Sequence, residues 1–473
     1  MVEVSRESGA EFADCQLGNV QRNRRAAQVV DSLVLHGGRS VAQTCKGWAA
    51  AKGCYRLVNQ EGVTHAAMLL GHRKATALRA SGRAVVLAPQ DSTTLSYGQR
   101  DRIEGLGPVD SSLSVQGFFA HTTLLVDPAQ DEVLGVAAQQ VWARSWTPVS
   151  KTETDAERKR RPRESQHWSV GQEDVARAFG REQVSDGQWT PPPPDAPHVI
   201  ALFDREGDAY EAVESCMSLG HGFVIRAVRD RKLKEAVWDE IHSFAAVESA
   251  PELGRVLFEV PRRGKEPARS TVLTIRAATM TLLPPKNRGR KGQPLTIGMV
   301  LVKEAESPPP GTEPLCWYLL TSEPCETMEE ALRGVEYYRF RWRVEEFHMG
   351  LKTGCGVERA QFETMHALEN YLALASVASW RLLALRDAAR SGKPDVPPEV
   401  LSNEEKLILR EQFPRLPPKP TAREWLIAVA KLGGFFGRKS DGDPGWRTLW
   451  WGWQRLMLLS EGWKLARQKS GYR

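Results

Sequence analysis

The stretch that decides the fold spans residues 338–352 and reads YRFRWRVEEFHMGLK. On a continuous helix, at about 100° per residue, five of its polar side chains fall within one arc of roughly 80°. These are Tyr338, Arg341, Glu345, His348 and Lys352. A solvated helix face usually arranges its charges as i,i+4 pairs, and this remains one interpretation. The other is a functional site in which the carboxylate binds a metal ion and the remaining groups bind phosphate.

Composition restricts the class of protein. The chain has 473 residues, 41% hydrophobic and 26% charged, which is typical of a globular protein with two or three domains. No apolar run approaches the roughly 18 residues of a membrane span, and the first residues do not resemble a signal peptide. The seven cysteines include no Cys-x2-Cys pair. We therefore expect a cytoplasmic protein without a zinc site, and the net charge of +6 permits a nucleic-acid partner without establishing one.

Two aspartates follow apolar segments that read as strands. Asp91 comes after the run 84–88, and Asp204 comes directly after the run 198–203. Between them, 118–126 and 133–137 form a predicted hairpin. A helix at 209–219, strands at 222–227 and 317–320, and the helix of Glu345 follow. This order predicts an α/β, multi-domain protein with an RNase-H-like core, in which strand ends hold two aspartates and a later helix supplies the third carboxylate.

The segment between Asp204 and Glu345 is longer than one strand and one helix require. Its surplus, about residues 234–311, alternates apolar residues with turns and reads as a β-rich insertion. Gly354 is expected to end the helix of Glu345. Together these observations predict a catalytic domain over residues 71–370.

Helical segments flank this core. Residues 1–70 read as small helices, and Arg22, Arg25 and Lys46 lie in basic first turns that suit phosphate binding, although a solvated basic face fits equally. Residues 371–473 are also predicted to be helical. The last helix carries an apolar stripe that includes Trp446, Trp450, Trp453 and Met457. Such a stripe is by default part of the core, but at a chain end it also suits a dimer interface.

The spacing Tyr-x2-Arg-x3-Glu-x6-Lys at residues 338–352 resembles the signature of the bacterial cut-and-paste DDE transposases of the IS-four type, close to the hairpin-forming transposon-five group. Residues 90–97 and 204–208 resemble that family's two aspartate segments. Residues 432–435 and 446–453 resemble its C-terminal region. The similarity runs in order from about residue 11 to 463. This chain departs from the pattern at Met349, where close relatives carry a lysine.

The resemblance implies the role of each residue. Asp91, Asp204 and Glu345 would be the catalytic carboxylates and would hold two Mg²⁺ ions, for which Mn²⁺ would substitute. Contacts to DNA phosphates and support of a hairpin intermediate would come from Tyr338, Arg341, Lys352, His348 and Arg226. Trp317 would stack on a flipped base, although it also fits a buried strand aromatic. The N-terminal domain would bind the transposon end, and the C-terminal helix would form a homodimer.

Two functions remain open on the sequence. The first is a DNA transposase that binds terminal inverted repeats, cleaves double-stranded DNA through a hairpin and joins the 3′ ends to target DNA. This enzyme would act in the bacterial cytoplasm, associated with the nucleoid. The alternative is a catalytically weak or domesticated relative that binds DNA as a repressor.

Overall fold

The computed structural model describes residues 6–38, 40–45, 47–98, 102–147, 154, 163–185, 187–234, 242–260, 268–285, 292–390, 401–438, 441 and 444–470. The chain divides into two compact units. One comprises residues 1–81, 92–153 and 343–473, and the other comprises residues 82–91 and 154–342. Strand β1 (Val85–Ser96) begins in the second unit and ends in the first.

Among the described residues the first unit begins with five helices, in agreement with the helical character predicted for residues 1–70. They are α1 (Arg6–Phe12), α2 (Val20–His36), α3 (Val41–Thr44), α4 (Trp48–Val58) and α5 (His65–Ala80). Side-chain oxygens of Asn19 and Thr64 accept backbone N–H groups at the starts of α2 and α5, which satisfies donors that have no partner within the helix. Strand β2 (Gly107–Pro108) and the predicted hairpin of β3 (Gln116–Asp127) and β4 (Glu132–Trp142) follow.

The second unit contains helix α6 (Gln166–Ala178), the short strands β5 (Gln183–Ser185) and β6 (Gln188–Trp189), β7 (His198–Phe203), α7 (Tyr210–Ser218) and β8 (Gly222–Arg226). Helix α8 (Ser243–Glu248) and strands β9 (Glu252–Val260), β10 (Arg269–Leu282) and β11 (Leu295–Glu304) form the predicted β-rich insertion. Strand β12 (Cys316–Thr321) and helix α9 (Met328–Arg339) complete the second unit. The apolar core of this unit includes Phe203, Phe223 and Leu320.

The C-terminal part of the first unit is helical. It contains α10 (Trp342–Met349), a π-helix (Gly350–Cys355), a 3₁₀ turn (Val357–Arg359), α11 (Met365–Arg390), α12 (Asn403–Gln412), α13 (Ala422–Leu432) and α14 (Trp446–Ser470). The side chains of Ser402 and Thr421 begin α12 and α13 with capping boxes. A separate apolar cluster, including Trp425, Trp453 and Leu456, joins these last helices.

The strand order confirms the predicted core. Among the described strands the hydrogen-bonded order is β2-β3-β1-β7-β8-β12-β11-β10-β9, with β4 also paired to β3. β1, β7 and β8 are parallel, whereas β3 and β4 are antiparallel. The order β4-β3-β1-β7-β8 is that of an RNase-H-like sheet, and the insertion extends this sheet through β12 instead of forming one of its own. The domain boundaries 1–70, 71–370 and 371–473 remain a prediction.

Candidate active site

The first two predicted carboxylates lie at the same edge of adjacent parallel strands. The register of β1 and β7 pairs Val85 with His198 and continues to Pro89 with Leu202. Asp91 and Asp204 each lie two residues beyond the last pair, and both are half-buried. Parallel strands bring their carboxyl ends to one edge of a sheet, so the register sets these two side chains at equivalent positions. The sequence placed Asp91 after its strand, whereas β1 continues through it to Ser96.

The turn after β7 fixes Asp204 and separates it from its acidic neighbours. Oδ1 of Asp204 accepts hydrogen bonds from the backbone nitrogens of Glu206 at 2.9 Å and Gly207 at 3.4 Å. Asp208 is fully buried and accepts from the backbone nitrogens of Val228 and Arg229 at 2.7 and 2.8 Å. Asp208 is therefore a structural residue, while Oδ1 of Asp204 accepts the first backbone N–H groups of this turn.

A cavity of about 230 Å³ in the second unit collects four arginines and three aromatic residues. Its lining includes Arg205, Arg226, Arg339, Arg341, Trp317, Tyr338 and Trp342. The ring centroids of Trp317 and Tyr338 lie 6.5 Å apart. The sequence predicted four of these residues but not Arg205, Arg339 or Trp342, which had no signal beyond adjacency to predicted residues. Guanidinium groups beside aromatic rings suit a phosphodiester with its base.

Tyr338 is the most buried aromatic residue of this cavity, with 7% of its surface exposed. Burial raises the pKa of its phenol, and the nearby Asp204 carboxylate adds to this rise. Arg341 and Arg226 act in the opposite direction. Because the net pKa shift is upward, the phenol keeps its proton at neutral pH and is a hydrogen-bond donor.

The single continuous helix predicted for residues 338–352 is wrong. Helix α9 ends at Arg339, α10 begins at Trp342, and the backbone becomes a π-helix from Gly350. The 80° arc of polar side chains was calculated for one continuous α-helix, so it does not apply across these interruptions. The predicted end at Gly354 is also wrong, because the π-helix runs to Cys355 and is capped by Gly356 with φ 64°. Single π-turns within helices are rare and frequently mark functional sites.

Glu345, His348 and Lys352 lie on the part of this segment that belongs to the first unit. Glu345 and Lys352 are half-buried, whereas His348 is buried. Burial lowers the pKa of His348 to about 3, and the Lys352 ammonium contributes in the same direction. His348 is therefore neutral at physiological pH, so any contact it makes to DNA is a neutral hydrogen bond. The neighbouring Glu346 is an ion-pair partner of Arg343 at 3.2 Å.

The predicted N-terminal DNA-binding residues differ in environment. Nη1 of Arg22 donates to the carbonyl oxygen of Leu17 at 2.9 Å, which ties its side chain to the segment that precedes α2. The guanidinium of Arg25 lies against α4. It is so close to Gly53 that a Cβ atom added to this glycine would lie 2.9 Å from Cζ of Arg25. Arg24, which the sequence did not single out as a candidate, is exposed between them. Lys46 lies outside the described residues.

Three of the four predicted dimer residues are buried within the chain. Trp450, Trp453 and Met457 are 4%, 6% and 3% exposed. Trp453 and Met457 pack in the cluster of the C-terminal helices, and Trp450 lies against Gly354 of the π-helix. The indole of Trp446 lies 4.7 Å below the guanidinium of Arg386. Packing within the chain therefore already uses Trp450, Trp453 and Met457, and a dimer surface formed by the four residues remains a prediction. The outer face of α14 instead exposes Trp451, Leu458 and Leu465.

The donor chemistry of Asp91 and Asp204 fits a hard divalent cation, since carboxylate oxygens are its preferred ligands. Within the described part of the chain, however, no group of three or more His, Cys, Asp or Glu residues is arranged to hold a metal ion. Within the second unit, Asp91 and Asp204 at one sheet edge are thus the two carboxylates offered to a metal.

Comparisons with known proteins find matches at both ends of the chain. Residues 8–63 match the family model of the transposase DNA-binding domain, and residues 380–472 match that of the transposase Tn5 dimerisation domain. These matches confirm the resemblance to Tn5-like transposases. A cryo-EM structure of the piggyBac transposase synaptic complex with hairpin DNA matches at 10% identity and a TM-score of 0.32. The match covers 67% of this chain and 50% of that one, so the chain spans half of that protein's length. No helix among the described residues is long and apolar enough to cross a membrane.

Proposed function

We propose that this protein is a DNA transposase that binds terminal inverted repeats, cleaves double-stranded DNA through a hairpin intermediate and joins the 3′ ends to target DNA. The observation that carries the proposal is the position of Asp91 and Asp204 at one edge of an RNase-H-like sheet. In this proposal Glu345 is the third catalytic carboxylate. The enzyme acts in the bacterial cytoplasm at the nucleoid.

Asp91, Asp204 and Glu345 would hold the divalent cations, with Mg²⁺ proposed and Mn²⁺ as its substitute. Bound cations of this kind activate water and stabilise charge on the attacking and leaving oxygens of a phosphodiester. Arg341 and Arg226 bind phosphate oxygens of the DNA end as planar, permanently charged donors. The phenolic O–H group of Tyr338 donates a hydrogen bond to a phosphate oxygen. Lys352 supplies a further positive charge, and His348 contributes as a neutral donor.

Hairpin formation bends the DNA end sharply and is easier when a base leaves the helix. Trp317 lines the arginine-rich cavity beside Tyr338 and is only half-buried, which supports a role as the surface on which that base stacks. Two protomers would pair through their C-terminal domains, so that two DNA ends are cleaved in one complex. The dimerisation-domain match over residues 380–472 supports this step.

Replacing the carboxylates tests the proposal. Asp91→Ala, Asp204→Ala and Glu345→Ala should each abolish nicking of a terminal-repeat duplex and leave binding to that duplex within about threefold, because all three residues lie outside the matched DNA-binding segment, residues 8–63. The control is Glu206→Ala, which removes an exposed acidic neighbour of Asp204. Nicking within tenfold of wild type in any one carboxylate variant would remove that residue from the site.

The alternative is a DNA-binding relative without nuclease activity that acts as a repressor. Wild-type protein that binds its terminal repeat but leaves it intact with Mg²⁺ and with Mn²⁺ would establish this function instead.

A further inference from the structure

We infer, on the basis of the function proposed above, that Arg343 and its ion-pair partners position the carboxylate of Glu345 for metal binding. Arg343 lies on α10, two residues before Glu345. Its guanidinium is in contact with three carboxylates, contributed by α10, by α11 and by the turn between β3 and β4. They belong to Glu346, Asp387 and Asp131. All of these residues are part of the first unit, and the three partners are separate from the proposed metal ligands.

The guanidinium of Arg343 connects three elements of the fold. Nη1 lies 3.0 Å from Oδ1 of Asp387 on α11 and 3.2 Å from Oε2 of Glu346 on α10 itself. Nη2 pairs with the carboxylate of Asp131 and donates to the carbonyl oxygen of the same residue at 3.4 Å. A guanidinium has five N–H donors in a rigid plane, so one side chain can hold α10 to both neighbours at once. These bonds restrict the rotation of α10 relative to α11 and the hairpin.

Two further interactions join α10 to α11. Arg386, which is 4% exposed, pairs with Glu346. The hydroxyl of Ser379 donates to the carbonyl oxygen of Phe347 at 3.0 Å. A Cβ atom added to Gly350 would collide with Oγ of Ser379, so the two elements approach closely at this point. The contact with α11 therefore runs along α10 and into the π-helix.

These contacts occupy the side of α10 opposite Glu345. At about 100° per residue, Arg343, Glu346 and Phe347 fall within an arc of roughly 100°, and Glu345 lies roughly 150° from its centre. The two guanidinium groups hold Glu346 on the side of α11. The network thereby determines which of the two adjacent glutamates is directed away from α11. Because metal–oxygen distances tolerate deviations of only about 0.2 Å, a small rotation of α10 is sufficient to weaken coordination by Glu345.

The burial of this network supports a role in orientation. The side chains of Arg343 and Asp387 are 7% and 1% exposed. Desolvation of buried charges offsets much of their mutual attraction, so an apolar contact of similar volume would stabilise the same helices at least as well. Charged hydrogen bonds are directional, however, and permit fewer orientations of α10 than an apolar contact does. A metal ligand on that helix requires such a fixed orientation.

The test compares Arg343→Lys with Arg381→Lys in the full-length protein. Lysine keeps the positive charge but lacks the planar fork that links separate carboxylates. Arg381 is a matched control, because it is 15% exposed and pairs with Asp31 at 2.8 Å between α11 and α2. Binding of Mn²⁺ is measured by electron paramagnetic resonance of the free ion, and nicking is measured over a series of Mg²⁺ concentrations. Thermal melting reports the stability of each variant.

Arg343→Lys should weaken Mn²⁺ binding, and raise the Mg²⁺ concentration for half-maximal nicking, by about tenfold, since loss of a group that orients a metal ligand commonly costs 10–100-fold in affinity. Arg381→Lys should leave both quantities unchanged. A lower melting temperature of Arg343→Lys with unchanged Mn²⁺ binding would show a purely structural network and overturn the inference. Equal weakening of Mn²⁺ binding in the two variants would also overturn it.

Ser379→Ala is a milder second variant, because it removes one hydrogen bond to α10 and leaves every charge in place. It should weaken Mn²⁺ binding in the same direction. If Arg343→Lys does not fold, unchanged Mn²⁺ binding by folded Ser379→Ala would overturn the inference.

Glu345→Ala is the reference for the proposed metal site. Mn²⁺ binding that is lost in Glu345→Ala but unchanged in Arg343→Lys would overturn the positioning role alone. Mn²⁺ binding that does not depend on Glu345 would overturn the proposed third carboxylate, and with it the role of Arg343.

Discussion

Nη1 of Arg343 donates to Oδ1 of Asp387 across 3.0 Å, and both side chains are buried. Arg343 also pairs with Glu346 and with Asp131 of the turn between β3 and β4. The second carboxylate oxygen of Asp387 accepts the backbone N–H of Val133 at 3.1 Å. This network joins the helix that carries Glu345 to α11 and to the β3–β4 hairpin.

The Asp387 carboxyl should make stability depend on pH. Burial raises its pKa from the ordinary value of 3.8 to about 6, although Arg343 opposes the shift. The folded state then retains a proton between those pH values that the unfolded chain releases, so this group's contribution to stability falls as the pH rises through about 6. From pH 4 to pH 8, wild type should lose roughly 2–2.5 kcal/mol of unfolding free energy relative to Asp387→Asn.

Urea unfolding at pH 4, 6 and 8 measures this difference. Asp14→Asn, which alters an exposed carboxylate of the same unit, provides a comparison whose curve should stay parallel to that of wild type. Parallel curves for wild type and Asp387→Asn would show that Arg343 keeps Asp387 ionised throughout.

Trp317→Ala should slow hairpin formation more than first-strand nicking. Stacking on an aromatic side chain stabilises a flipped base by roughly 1–3 kcal/mol, and only the hairpin step requires that base to leave the helix. Single-turnover assays on a labelled terminal-repeat duplex separate the two rates. Tyr318→Phe on the same strand, which loses the hydroxyl bond to Glu248, should leave both rates unchanged. Equal slowing of both steps by Trp317→Ala would point to a packing role.

Arg22→Ala, Arg25→Ala and Lys46→Ala should each weaken binding to the terminal repeat and flatten its salt dependence by about one unit. The expected reason is the loss of one phosphate contact per residue in the matched DNA-binding segment, residues 8–63. Arg24→Ala should act similarly because Arg24 is exposed. Arg333→Ala, outside that segment, is the reference. If the salt slope stays at the wild-type value in all four variants, these residues form a merely solvated face.

The exposed face of α14 should form the dimer contact. Trp451, Leu458 and Leu465 are 49%, 48% and 61% exposed and recur every seven residues, the spacing of a helix-pairing seam. Leu458→Glu/Leu465→Glu should leave binding to one DNA end intact and remove the paired-end complex on a native gel. The control variant Lys464→Glu, on the same helix, should still form the paired-end complex. Normal pairing by the leucine variant would exclude this face from the interface.

The buried stripe of α14 shows why apolar periodicity alone does not identify the residues of a dimer contact. Trp450, Trp453 and Met457 have the apolar periodicity of an interface, but the same periodicity describes any helix packed against its own chain. The structure buries them against α13 and the π-helix. Trp451, Leu458 and Leu465, which are spaced further apart, remain exposed to solvent. Which residues of the helix are buried and which are exposed depends on the neighbouring elements that cover it.

Local patterns were sufficient for the strand–Asp91 and strand–Asp204 segments, the β3–β4 hairpin, the β-rich insertion and the helical ends. Each of these depends on short-range apolar periodicity and turn residues, which are written in the chain itself. Only the tertiary structure decided that residues 338–352 break at Phe340 and change to a π-helix at Gly350, and that Arg205 and Arg339 join the cavity of Tyr338. It also decided that buried His348 is neutral. Those properties depend on packing and desolvation by residues far away in sequence, and a single sequence does not specify which distant side chains will surround a given position.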